Sequence, residues 1–99
     1  MIITPHRNSR SKKTGITFPK LESWNPMTNV ATIAADVDKQ RVLCRISLKV
    51  LQKKFNASSD NPMKSVVEHR SRLQECAKVL IEEEKFEEDG SILIRMHDI

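Results

Sequence analysis

The sequence predicts one small α+β domain: an antiparallel β-hairpin, a short helix, a long amphipathic helix and a C-terminal strand, with a short N-terminal edge strand. Three observations carry this expectation. Two runs of alternating apolar character flank the dipeptide Asp38-Lys39, as the arms of a hairpin do. Apolar residues then recur at the helical period from residue 62 to about residue 85. The chain of 99 residues is long enough for one hydrophobic core and not for two.

Element by element, residues 16–19 (Ile16, Thr17, Phe18, Pro19) suit an edge strand that Pro19 ends, because proline has no N–H to donate to a ladder. A loop is expected through Trp24, Asn25 and Pro26. In residues 29–37 Ala31, Ile33, Ala35 and Val37 alternate with Val30, Thr32, Ala34 and Asp36; in residues 40–46 Val42, Cys44 and Ile46 alternate with Arg41, Leu43 and Arg45. A two-residue hairpin turn of the primed kind wants positive φ at both central positions, which Gly adopts most easily. Lys39 is therefore an imperfect turn residue, and a strained turn or a slightly longer loop is expected.

Ser47 is placed to cap a helix, its hydroxyl accepting from a free backbone N–H of the first turn. Leu48, Leu51 and Phe55 then form one apolar face over two turns. Residues 56–61 are rich in turn formers, and Asn61-Pro62 restarts a helix with a capping side chain and a proline in the first turn. Met63, Val66, Val67, Leu73, Ala77, Leu80 and Ile81 make the stripe of the second helix, interrupted by Arg70. Asp89-Gly90 reads as a turn, and residues 91–96 as the closing strand.

Charge is unevenly distributed. The net charge of +4 resides in residues 1–15, where Arg7, Arg10, Lys12 and Lys13 stand without an acid; this segment is expected to be a disordered basic tail ahead of a neutral domain over 16–99. Within the domain Lys39, Arg41, Arg45, Lys49, Lys53 and Lys54 form a basic block, and residues 82–89 an acidic one. The candidate interaction surface is Arg41, Arg45, Lys49 and Lys53, which could follow a phosphate backbone together with the tail. The competing expectation is that the two blocks neutralise each other, within one chain or across a dimer. Arg70, standing where an apolar residue belongs, is the candidate structural or partner-pairing arginine: its stem can lie on the core while its head reaches water or a carboxylate.

Several chemistries find no support. Cys44 and Cys76 have neither disulfide-framework nor metal-ligand spacing and suit buried free thiols. With two glycines, Gly15 and Gly90, the chain holds no phosphate-binding glycine loop. His97-Asp98 has no motif-placed nucleophile beside it. No catalytic, cofactor or metal site is expected, and no stretch approaches the length of a membrane span, so a cytoplasmic location is expected. The expected role is a non-enzymatic protein-interaction module, self-associating or binding a protein partner; the alternative is a nucleic-acid-binding accessory protein.

The order of short motifs also carries a resemblance. Ile16-Thr17-Phe18-Pro19 with Glu22 and Trp24 opens it, and Val42-x-Cys44-x-Ile46-Ser47 with Leu51 and Phe55 continues it. His69-Arg70, the run Asp89-Gly90-Ser91-Ile92-Leu93-Ile94 and Asp98-Ile99 complete it. Together these resemble the small bacterial proteins of domain of unknown function 1488, over residues 16–99. The resemblance implies a compact α+β domain and no established activity. That family usually has Asp-Gly at the hairpin tip, where this chain has Asp38-Lys39.

Overall fold

The computed structural model describes residues 15–99. The expected basic tail therefore lies, but for Gly15, outside the described residues. Five strands form one sheet: β1 (Ile16–Thr17), β2 (Glu22–Asn25), β3 (Val30–Val37), β4 (Gln40–Ser47) and β5 (Ile92–Leu93). Between β4 and β5 come α1 (Leu48–Phe55), α2 (Pro62–Glu68) and α3 (Arg70–Glu82); a 3₁₀ turn, Met96–Asp98, follows β5. The α+β class is as the sequence predicts.

The β3–β4 hairpin is the backbone of the sheet, with eight residue pairs in register from Val37 opposite Gln40 to Val30 opposite Ser47. Its tip has two residues, with Asp38 at φ 50° and Lys39 at φ 72°. This is the strained alternative: both residues take the left-handed conformation that glycine would adopt freely. β1 and β2 lie end to end along the other edge of β3, both antiparallel to it. The edge strand is shorter than expected, and Trp24 and Asn25 belong to a strand rather than a loop. β5 pairs parallel to β4, Cys44 opposite Ile92 and Arg45 opposite Leu93, and covers only two of the six residues expected there.

Alternation splits the sheet into two faces. Ala31, Ile33, Ala35, Cys44, Ile46 and Ile92 point inward, where Val50, Leu51, Val66, Leu73, Ala77, Leu80 and Ile81 of the helices meet them. Trp24 and Phe18 pack at the margin of this core. On α1 the buried pair is Val50 and Leu51, with Leu48 and Phe55 only partly covered.

Caps end the helices as local chemistry requires. Ser47 Oγ accepts from the Val50 N–H at 3.3 Å. Asn56, left-handed at φ 54°, closes α1 with its N–H on the Gln52 carbonyl, and the Ala57 N–H reaches the Leu51 carbonyl. Glu84 at φ 59° closes α3 the same way, with the Lys85 N–H on the Leu80 carbonyl and the Glu84 N–H on that of Ile81.

The single long helix expected over 62–85 is two helices hinged at His69, whose φ of −112° and ψ of 25° depart from helical values. Helical hydrogen bonding continues on both sides, His69 N–H to Ser65 and Leu73 N–H to His69. The bend coincides with two side-chain contacts. The His69 ring stacks on Phe55 of α1, centroids 4.3 Å apart, and the Arg70 Nε donates to Glu22 Oε2 of β2. On α2, Val66 is buried while its neighbour Val67, turned about 100° around the helix, is half exposed.

Candidate functional site

The second face of the sheet carries the other half of the alternation. On β3 it presents Val30, Thr32, Ala34 and Asp36; on β4, directly opposite, Ser47, Arg45, Leu43 and Arg41. Leu93 of β5 joins this face beside Arg45, and Leu21 borders it, its carbonyl accepting from the Ala34 N–H at 3.2 Å. The helices pack on the opposite side, so Leu43 remains 42% exposed and Leu21 51% exposed. Leu21, Thr32, Ala34, Arg41 and Leu43 line a shallow depression of about 290 Å³. Ala34 itself is buried, so the exposed apolar groups at this depression are Leu21 and Leu43.

The charges that flank the depression are already partnered. Arg41 Nε donates to Asp36 Oδ1 at 2.6 Å, a cross-strand pair set by the hairpin register. Arg45 Nη2 donates to Asp89 Oδ2 at 3.0 Å. The other oxygen of Asp89 accepts from the Ser91 hydroxyl at 2.6 Å and the Ser91 N–H at 3.0 Å. Those two bonds, with Arg45 adding less, hold the Asp89 carboxyl below its ordinary range. The basic and acidic blocks of the sequence thus meet within one chain at this point.

The four predicted surface residues do not share one element. Arg41 and Arg45 stand on the open face, whereas Lys49 and Lys53 stand exposed on α1, the helix that drives Val50 and Leu51 into the core. Arg70 lies elsewhere again, in the seam between β2 and α3. Glu22 pairs with Ile33 and so points inward, only 14% exposed, to meet the arginine. The Arg70 hydrogen bond pulls the Glu22 carboxyl below its usual range against a smaller opposing push from burial.

A cleft of about 460 Å³ runs between α3 and the 3₁₀ turn. Cys76 lines it, and its thiol donates to the Asp98 carbonyl oxygen at 3.2 Å. Burial is the main cause that raises the Cys76 thiol, and it pushes that of Cys44 up to about 12, so neither cysteine offers a thiolate. His97 Nε2 is 3.5 Å from Asp98 Oδ1 and its side chain is largely exposed. Among the described residues no group of three or more His, Cys, Asp or Glu is arranged to hold a metal ion, and no helix is long and apolar enough to cross a membrane.

Sequence reasoning missed Leu21, Ala34, Asp36 and Leu93 as members of a surface. The signal for part of it was present: alternation places Leu43 on the same strand face as Arg41 and Arg45.

Fold and surface together define a small two-layer α+β domain, with helices on one side of a mixed sheet and, among the described residues, none on the other. The family model for a protein of unknown function, DUF1488, matches residues 16–94, and the chain belongs to that family. The crystal structure of a protein of unknown function from the DUF1488 family of Shewanella loihica PV-4 has the same fold. It superposes with a TM-score of 0.73 at 24% identity, covering 80% of this chain and 90% of that one. A search among curated proteins gave no match.

Proposed function

We propose that this domain is a non-enzymatic protein-interaction module that works through the open face of its sheet. The observation that carries the reading is the two exposed leucines, Leu21 and Leu43, at a shallow depression lined by buried Ala34 and bordered by charges that are already paired. Such a surface gains free energy by losing water from its apolar centre, while its rim bonds supply orientation. Affinity capture from the cells that encode the protein, with the wild-type chain and Leu43→Asp as baits, tests this. A protein retained by the wild type and lost by the variant is expected. Equal retention by two equally folded baits overturns the assignment of the face.

Nucleic-acid binding is the second reading, favoured by Lys49 and Lys53 on α1 together with the basic residues before Gly15. Against it, Arg41 and Arg45 each already hold a carboxylate, so a phosphate would have to displace one. The first reading expects no retarded DNA or RNA in low-salt gel shifts. Retardation that fades steeply with added salt would favour the second.

A further inference from the structure

Gly90 sits at φ 86°, a left-handed conformation that residues with a Cβ adopt only under strain, in the turn that leads into β5. The turn therefore calls for glycine at 90, and the residue before it is an aspartate. That pairing carries a chemical liability. Gly90 has no side chain to hinder its backbone nitrogen, which can give up its proton and attack Cγ of Asp89. A C–N bond forms, one carboxyl oxygen leaves as water, and a succinimide ring closes. Water then reopens the ring at either carbonyl. One opening restores aspartate; the other leaves isoaspartate, in which the main chain runs through Cγ and is one carbon longer. The water lost in the first step is regained in the second, and no oxidant or reductant is needed.

Ring closure makes two demands, and the folded turn opposes both. The departing oxygen must be protonated, whereas three donors hold the Asp89 carboxylate in its charged form. Oδ1 accepts from the Ser91 hydroxyl at 2.6 Å and the Ser91 N–H at 3.0 Å, and Oδ2 accepts from Arg45 Nη2 at 3.0 Å. Ser91 is buried, so water competes little for its hydroxyl. The Gly90 nitrogen must also be free to lose its proton, yet its N–H is spent on the Glu87 carbonyl at 2.9 Å. The Glu87 N–H in turn donates to the Ser91 carbonyl at 2.7 Å and closes the same turn. An extra backbone carbon between residues 87 and 91 would disturb these bonds together.

From this geometry we infer that Asp89-Gly90 is a latent site of isoaspartate formation, and that Ser91 and Arg45 guard it by holding the Asp89 carboxylate while the turn occupies the Gly90 N–H. Arg45 thus has a task within its own chain, separate from any partner of the open face. Lowering of the Asp89 carboxyl, with Ser91 as its main cause and Arg45 as a lesser one, ranks the two guards.

Peptide mapping of the full chain after incubation at neutral pH tests the proposal, because an isoaspartyl peptide has its parent's mass but separates from it and fragments differently. Wild type held in denaturant loses every one of these bonds and should isomerise at residue 89 about 100-fold faster than the folded chain. Folded Ser91→Ala should gain about tenfold, the worth of one charge-assisted hydrogen bond. Arg45→Met should gain by a smaller factor. Denaturant unfolding gives the unfolded fraction of each variant, and the gains should exceed what that fraction alone supplies. Equal rates in folded and denatured wild type overturn the inference. A folded Ser91→Ala at the wild-type rate also overturns it, as does a gain that the unfolded fraction accounts for in full. Should Ser91→Ala fail to fold, Arg45→Met decides by the same criterion.

Discussion

The two faces of the sheet are built from the same strands by the same alternation, yet they have opposite fates. Inward, Ala31, Ile33, Cys44 and Ile46 are sealed beneath three helices. Outward, among the described residues, no helix packs over Thr32, Leu43 and their charged neighbours, and Leu43 stays 42% exposed. The difference lies in what each face asks of its neighbours. The inner face is apolar at nearly every position and is stable only when covered. The outer face sets the exposed Leu21 and Leu43 among paired charges, so it tolerates water. One face holds the fold together, and the other is free to be used.

That contrast can be broken at single positions. Leu51→Ala removes a side chain with no exposure from beneath the inner face and should cost about 2–5 kcal/mol, which denaturant unfolding would show. The matching change outside, Leu43→Ala, should cost the monomer under about 1 kcal/mol. Equal losses at the two sites would mean that the outer face is not free.

A smaller effect is expected at the seam. In the fold Glu22 ionises below its ordinary value of about 4.5, so its pairing with Arg70 stabilises the protein fully above that value. The contribution is lost as pH falls through the lower folded value. Glu22→Gln should therefore lower the melting temperature by a few degrees at neutral pH, and the gap to wild type should close in acid. A gap that widened in acid would reverse the assigned sign.

The smallest effect sharpens the comparison at the hairpin tip, which belongs to neither face. Lys39 sits at φ 72°, where a Cβ is strained, so Lys39→Gly should raise stability by about 0.5–1 kcal/mol. Unchanged or lower stability would show that the lysine side chain compensates its own strain.

Parts of this structure were legible from residues alone for definite reasons. The β3–β4 register follows from an unbroken alternation around a two-residue turn, and both signals are local. The capping role of Ser47 is equally local. The strand at Glu22–Asn25 was not legible, because its four residues carry no apolar alternation and it exists by pairing with β3. Nor was the hinge at His69: apolar spacing runs through it, and the contacts that accompany the bend are with α1 and β2, distant in sequence. The candidate face was half visible. Arg41, Leu43 and Arg45 were placed together by strand period, but Asp89 comes to Arg45 from a distant segment and Leu21 from another strand edge. Lys49 and Lys53 follow closely in sequence, yet the start of α1 carries them off the strand.

The parallel pairing of β5 with β4 has a kinetic consequence. The hairpin can zip from its own turn, whereas Cys44 can face Ile92 only after all three helices have been laid down between them. β5 should therefore join the sheet after the hairpin has formed. Its closing bond, the Ile94 N–H to the Arg45 carbonyl at 2.8 Å, lies beside the buried Ile92 and Ile94 side chains, so the Ile94 amide should exchange about as slowly as amides in the middle of the hairpin.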